Sequence, residues 1–308
     1  MTRSGRHVVG IDAGGTKTRG LLANERGEVV ASAEEGGANL RTNGELEVEK
    51  VLHRVIESLG SAAGIRPDAI ALGIAGAGRP DDEEVLRGIL RRIGHRDRVV
   101  VTSDAHVAFI AGSPDRVGLA LVSGTGSIAW GRNAAGRIAR AGGWGWRLGD
   151  EGSGFWIGER ALRAVLRARD GRGPSTSLEN AMADHFGLSG PEDIVRIVYE
   201  DGGASPRGRV ALFSGRVADA AGAGDGVARA ILEEAAEELA LAATTVVRGL
   251  ELAKSAYDVV LSGGTFRALP ELRRLVEERL ASPGARIVPL EAEPAVGAVR
   301  LALEELEI

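Results

Sequence analysis

Cysteine is absent from this chain of 308 residues. That removes disulfides, thiolate zinc sites, cysteine-held iron–sulfur clusters and cysteine nucleophiles together. Aromatic residues make up only 4%. Lysine is almost as scarce: Lys17, Lys50 and Lys254 are the three lysines among 38 basic residues. A GC-rich codon bias accounts for that arginine preference, with a thermophilic habit as the weaker reading. No run of about 18 apolar residues occurs, so no membrane span is expected. Met1 to His7 is short and polar and carries no signal-peptide pattern. The formal net charge of −5 leaves no basic footprint for nucleic acid. Glycine is in excess instead, with 45 residues, or about 15% and roughly twice the usual share. There are only 10 prolines and no G-X-Y period, which excludes collagen and simple low complexity. The glycines fall in short knots between apolar runs, where a backbone turns tightly or approaches a ligand.

At about 150 residues per domain the length suggests two domains. Val8 to Asp12 reads as a strand, followed by the turn Gly14-Gly15-Thr16-Lys17-Thr18 and two further strands, an antiparallel meander. Helical spacing over Leu46 to Leu59, a buried strand at Ala69 to Ile74, a helix opened by acids at Asp81 to Glu84 and a strand from Arg98 to Thr102 complete the first half. The pattern then restarts. At an offset of 109 residues Val8 meets Val117, Gly15 meets Gly124, Thr16 meets Thr125, Asn24 meets Asn133 and Gly27 meets Gly136. Two strand–turn–strand units at one spacing point to an internal duplication. The second half continues with helices, a long one expected from Asp225 to Lys254, and a strand at Asp258 to Leu261 before Ser262-Gly263-Gly264. Meanders followed by alternating helices and strands argue an α/β fold, twice. The boundary is expected near residue 113, giving domains 1–113 and 114–308, with the last helix returning to the first domain.

Five groups of residues carry chemistry. In Asp12-x-Gly14-Gly15-Thr16-Lys17-Thr18 two glycines expose backbone N–H groups to an anion, Thr16 and Thr18 offer hydroxyl donors and Lys17 a point charge. Asp12 suits an outer-sphere ligand of Mg²⁺. A plain hairpin turn is the alternative, and the segment is not a Walker A motif, since it runs into a strand. Ser123-Gly124-Thr125-Gly126-Ser127 is a second such turn, and the two together suit the phosphates of one nucleotide. Ser262-Gly263-Gly264 leaves room for a flat adenine or a ribose. Asp104 ends one element and opens a helix; it reads both as an N-cap and as a general base toward an attacking hydroxyl. Last, Gly142 to Gly154 contains Trp144, Trp146 and Asp150, and all four tryptophans (Trp130, Trp144, Trp146, Trp156) lie within 27 residues. Indole faces beside a carboxylate pair suit a sugar ring; a small tryptophan core with Asp150 as a helix N-cap is the other reading. None of the five histidines has metal-ligand spacing, and His106 reads as a packed histidine.

Taken together, Asp-x-Gly-Gly-Thr-Lys-Thr, Ser103-Asp104, Ser-Gly-Thr-Gly-Ser and Gly-Gly-Trp-Gly…Leu-Gly-Asp-Glu-Gly-Ser-Gly-Phe-Trp-Ile-Gly resemble the BadF/BadG/BcrA/BcrD ATPase family. More narrowly they are similar to its N-acetylglucosamine kinase and broad-specificity hexokinase branch. The resemblance implies a duplicated ribonuclease-H-like, actin-like ATPase fold with ATP and Mg²⁺ in an interdomain cleft. It implies that Gly15, Thr16, Lys17, Gly124 and Thr125 serve the phosphates, Asp12 the magnesium, and Gly263, Gly264 and a helix end near Ala221 the adenosine. Asp104 becomes the base at a sugar 6-hydroxyl, and Asn39, Gly143, Trp144, Gly145 and Asp150 join it as sugar ligands. The activity so implied is an ATP-dependent kinase of an amino sugar, N-acetylglucosamine first, in a cytoplasmic homodimer with no nucleic-acid or membrane partner. Ile128 departs from the pattern, because the acetylglucosamine kinases usually carry Asn there, so glucosamine or a general hexose stays open. So does an ATPase switch acting on a partner protein. The family branch that activates dehydratases through a cysteine-held cluster is excluded by the missing cysteines.

Overall fold

The computed structural model describes residues 5–77, 80–199 and 206–307. The chain divides into two compact units. One holds Met1–Ala120, Trp130–Arg137 and Val288–Ile308; the other holds Leu121–Ala129 and Ile138–Ile287.

In the first unit β1 (His7–Ala13), β2 (Lys17–Asn24) and β3 (Val29–Gly36) form the antiparallel meander. The chain then passes through α1 (Leu40–Asn43), α2 (Glu45–Ala63), β4 (Ala69–Ile74), α3 (Pro80–Arg92), β5 (Val99–Thr102) and α4 (Asp104–Gly112). The sheet order is β3-β2-β1-β4-β5, with β4 parallel to both β1 and β5. All six residues of β4 are buried, as expected of a parallel strand covered on both faces. β3 alternates exposed and half-buried positions, which suits an edge. Val9, Ile11, Leu22, Leu52, Val55, Ile70, Leu72, Leu86 and Leu90 share one core between the sheet and helices α2 and α3. The helix α12 (Ala295–Glu307), last in the chain, packs on β1, β4 and α4. A Cβ at Gly297 of α12 would sit 1.9 Å from the Val107 carbonyl oxygen, so glycine there lets two helix backbones touch.

The second sheet contains β6 (Gly118–Ser123), β7 (Ser127–Arg132), β8 (Ile138–Gly142), β9 (Tyr257–Ser262) and β10 (Ala285–Pro289). Its order is β10-β9-β6-β7-β8. Read from the other edge, this is third, second, first, fourth and fifth strand, the order of the first sheet. The duplication expected from the 109-residue offset is therefore present in the topology, down to β8, an edge strand that the sequence pattern did not signal. Between β8 and β9 come α5 (Gly154–Arg169), α6 (Leu178–Phe186), α7 (Ile194–Tyr199), α8 (Pro206–Gly222) and α9 (Gly226–Gly249); α10 (Gly264–Ala268) and α11 (Pro270–Leu280) follow β9. The long helix ends earlier than expected: Leu250 caps it and Glu251 takes φ +58, ahead of a short 3-10 turn from Leu252 to Lys254. Gly78, Gly202 and Gly203 lie outside the described residues.

Asp225 is the N-cap of α9. Its Oδ1 accepts from the amides of Val227 at 2.9 Å and Ala228 at 3.0 Å. Its Oδ2 accepts from the Thr176 hydroxyl at 2.9 Å, the Ser177 amide at 2.7 Å and the Ser177 hydroxyl at 2.8 Å. Burial pushes this carboxyl up, but the hydrogen bonds from Ala228, Ser177 and Thr176 outweigh it and draw the pKa down to about 2. A depressed carboxylate stabilises the fold above its unfolded pKa and loses that contribution as pH falls through the folded value. Asp225→Ala is therefore expected to destabilise by about 1–2 kcal/mol at neutral pH. In urea unfolding the gap between variant and parent should close as pH is lowered from about 4 toward 2.

Candidate functional site

The turn after β1 is built by register. Asp12 stands opposite Arg19 on β2 and Gly73 on β4, and Gly14 N–H donates to the Lys17 carbonyl at 2.9 Å. Asp12, Gly14 and Gly15 are half-exposed, while Thr16 is exposed. Thr18 departs from expectation. It is fully buried and its hydroxyl donates to the Gly36 carbonyl at 2.9 Å, so it fastens β2 to β3 and is no phosphate donor. Lys17 pairs with Glu34 at 3.4 Å on the exposed side. A residue the sequence reading passed over holds the turn from behind. A Cβ at Gly37 would lie 2.2 Å from the Gly15 carbonyl oxygen, so a glycine at 37 lets that segment press on the turn. Its only sequence signal was its place in Gly36-Gly37.

The corresponding turn after β6 is held more firmly. Ser123 is buried and its hydroxyl donates to the Gly152 carbonyl at 2.9 Å; the Ser127 hydroxyl donates to the Glu151 carbonyl at 2.7 Å. The Gly124 carbonyl accepts from Gly154 N–H at 2.8 Å and from the Thr265 hydroxyl at 2.9 Å. Between these anchors Gly124, Thr125 and Gly126 stay half-exposed. Gly263, the N-cap of α10, takes φ +114, and a Cβ there would sit 2.1 Å from the Ser123 carbonyl oxygen. Gly264, next to it, has nothing within 4 Å of an added Cβ. Ala221, buried, lies one residue before the end of α8. The structure thus gathers Gly124, Thr125, Gly263 and Gly264 at one place in the second unit.

Asp104 is the first residue of α4, but it is not the cap. Ser103 is: its Oγ accepts from His106 N–H at 3.2 Å. The capping role expected for Asp104 passes to its neighbour, and the half-buried Asp104 carboxylate sits at the positive end of an apolar, buried helix. Its Oδ1 accepts from Ala105 N–H at 2.9 Å. His106 is a packing residue, as expected. It stacks on Trp130 at 4.4 Å and shares a 2.8 Å hydrogen bond with the Thr102 hydroxyl. Burial, then Arg132 and Arg116, lower its pKa to about 4, so it is neutral at pH 7. Asn39, also in the first unit, is the N-cap of α1, its Oδ1 accepting from Arg41 N–H at 2.9 Å and Thr42 N–H at 3.3 Å.

The glycine–tryptophan segment divides. Trp130 and Trp156 are buried, against His106 and Phe109 and beneath Arg160 respectively. The expectation that the four indoles work together on a sugar is corrected: two of them are core. Trp144 and Trp146 are exposed, with the Arg140 and Arg147 guanidiniums each 4.8 Å from the ring centroid. Gly143 and Gly145 take φ +69 and +88 on either side of Trp144, and Gly143 rests on Ile128. Asp150 caps no helix; Ser153 caps α5 through Trp156 N–H at 3.2 Å. Asp150 is instead held in a left-handed conformation, φ +60, only 4% exposed, and accepts from Gly145 N–H at 3.2 Å. Arg207 on α8 reaches it with Nη2 at 3.3 Å. Arg207 has no motif around it and was invisible in the sequence.

Among the described residues no three His, Asp or Glu side chains cluster as a metal cage. One half-exposed carboxylate beside a glycine turn, as at Asp12, fits Mg²⁺ that keeps its waters and phosphate ligands. Among the described residues no helix is long and apolar enough to cross a membrane.

The model of the BadF/BadG/BcrA/BcrD ATPase family matches residues 9–302. The chain belongs to that family. An N-acetylmuramic acid/N-acetylglucosamine kinase of Clostridium acetobutylicum is 34% identical over 309 residues, covering 98% of this chain and 100% of the relative. An N-acetyl-D-glucosamine kinase of Dictyostelium discoideum is 30% identical, covering 96% and 97%. Among solved structures, a ROK-family glucokinase from Streptomyces griseus covers 96% of this chain and 98% of its own with a TM-score of 0.62; at 17% identity it bears on the fold alone. The family member described here has the duplicated, actin-like ATPase fold that the motifs implied.

The close approach at Gly263 gives a direct test. Gly263→Ala is expected to destabilise the protein by about 1–3 kcal/mol through overpacking and φ strain. Gly264→Ala, with open space and helical backbone, is expected to stay within about 0.5 kcal/mol of the parent. Urea unfolding midpoints of the two variants separate the cases.

Proposed function

We propose that this chain is an ATP-dependent sugar kinase that phosphorylates the 6-hydroxyl of an amino sugar, N-acetylglucosamine first. The observation that carries it is full-length similarity to relatives named for that activity, together with a helix-opening carboxylate, Asp104, that a neighbouring serine relieves of capping. In this reading Asp104 takes the proton of the sugar hydroxyl as the hydroxyl oxygen attacks the γ-phosphorus, and ADP leaves. Thr16 and Thr125 present hydroxyls to the phosphates, with the N–H groups of Gly15 and Gly124 to Gly126 around them. Lys17, paired with Glu34, adds a positive charge. Mg²⁺ would neutralise phosphate charge, reached by Asp12 through water. Gly263, Gly264 and Ala221 line the adenosine side, where the close backbone leaves room for a flat ring. Asn39 offers its amide to the sugar. Trp144 supplies an apolar face, the backbone of Gly143 and Gly145 lets the ring come close, and Asp150 accepts from its hydroxyl or amide hydrogens. Ile128, beneath Gly143, offers no amide to an acetamido group, so glucosamine or a general hexose is the second reading. A homodimer in the cytoplasm completes the proposal on the strength of the family resemblance.

Asp104→Asn is expected to lower kcat by about 10²–10⁴-fold while leaving ATP affinity within a few-fold. Near-parental turnover in that variant overturns the assignment of the base. Measuring ADP release with and without N-acetylglucosamine, glucosamine, glucose and mannose ranks the sugars. Release that no sugar stimulates points instead to an ATPase acting on a protein partner.

A further inference from the structure

Arg207 has no part in the chemistry just described, yet it is placed where a charge matters. Its side chain is only 15% exposed. One contact of 3.3 Å, from Nη2 to Asp150 Oδ2, is its ion pair, and its Nε is buried without a hydrogen-bond partner among the described residues. A guanidinium so sparsely satisfied is costly to bury, and packing alone would favour an apolar residue. Its counterpart is unusual too. Asp150 holds a left-handed backbone rarely adopted by non-glycine residues, a strain that persists only when surroundings fix it. A Cβ on Gly126 would lie 2.7 Å from Asp150 Oδ2 and 3.4 Å from Arg207 Nη2, so both charges press on the backbone of the 123–127 turn.

The charges around Asp150 come from few elements. The turn 123–127 carries no ionisable side chain. The adjacent Glu151 is a like charge to Asp150, and Glu151 and Glu234 in turn act on Glu238 of α9. Arg140 and Arg147 of the neighbouring segments are stacked on Trp144 and Trp146. Arg207 of α8 is the cation that acts on Asp150. Burial pushes the Asp150 carboxyl up and sets the net direction; Arg207 opposes it in part, followed by the amides of Gly145 and Ser127.

We propose that Arg207 is a positioning residue for the sugar: it holds Asp150 ionised and aimed, so that Asp150 acts as a pure hydrogen-bond acceptor. This rests on the reading of Asp150 as a sugar ligand. A protonated Asp150 would carry a donor of its own and lose acceptor strength toward the sugar.

Equilibrium titration of the full chain with N-acetylglucosamine, followed by tryptophan fluorescence between about pH 5 and pH 8.5, tests this without relying on turnover. The parent should lose affinity only at the acid end. In Arg207→Met the same loss should begin at higher pH, so the ratio of affinities at about pH 8.5 and about pH 5 should be larger than the parent's. Arg207→Lys should shift in the same direction by less. Asp150→Asn should bind weakly with no pH dependence, and ATP affinity should change little in all of them. An Arg207→Met profile parallel to the parent's, whatever its uniform loss, overturns the proposal and leaves Arg207 structural. If Arg207→Met does not fold, Arg207→Lys decides: a profile superimposable on the parent's overturns it and a displaced one supports it. Asp150→Asn binding as tightly as the parent overturns the sugar-ligand reading itself, a result distinct from the failure of Arg207's role alone.

Discussion

Backbone pressed on backbone is the constraint on which the rest of this molecule depends. Gly263 stands so close to the Ser123 carbonyl that a single methyl group would clash, and Gly37 stands the same way against Gly15. Each contact holds a glycine turn from behind with main chain rather than side chains. A turn held like this keeps its front open, and its remaining N–H groups stay ordered without a side chain covering them. In the proposed kinase reading, phosphoryl transfer works mainly by position and electrostatics, and a turn held in one shape suits it. Part of the glycine excess is spent in this way, at Gly37, Gly158, Gly263 and Gly297, where two pieces of main chain nearly touch.

The same economy explains the division of labour among neighbouring polar residues. Ser103 caps α4 directly before Asp104, and Ser153 caps α5 three residues after Asp150. A serine hydroxyl satisfies an orphan N–H at no cost in charge. Asp104 remains at the N-terminus of α4, where the dipole favours it, and accepts from Ala105 N–H there. Thr18 shows the opposite outcome: one residue into β2 its hydroxyl is already committed to the sheet, while Thr16 in the turn stays exposed.

How much of this was legible follows from which signals are local. The Gly-Thr turns, the strands on either side and the repeat at 109 residues are contiguous patterns, and the shared strand order of the two sheets bears them out. Ser103 as cap was not read, because Ser and Asp are both good caps and only φ/ψ distinguishes them. The four tryptophans looked like one group because they are close in sequence. Trp130 and Trp156 lie on a strand and a helix whose faces point inward, whereas Trp144 and Trp146 sit among positive-φ glycines. β8 was missed because an edge strand of Ile138-Ala139-Arg140-Ala141-Gly142 has almost no β-branched content. Arg207 was missed for the deeper reason that its partner is 57 residues away, a separation that no spacing rule reaches.

That last case bears on how such a site is kept in working order. Asp150 is backbone-strained, and it is also buried and next to Glu151, two conditions that each disfavour a charged carboxylate. Two backbone amides and one arginine oppose them. The amides come from Gly145 and Ser127 and are fixed by the turns that carry them; the arginine comes from a separate helix, α8, whose other end carries Ala221. A helix that borders the Asp150 carboxylate at one end and the Ala221 position at the other is a rigid element shared by both.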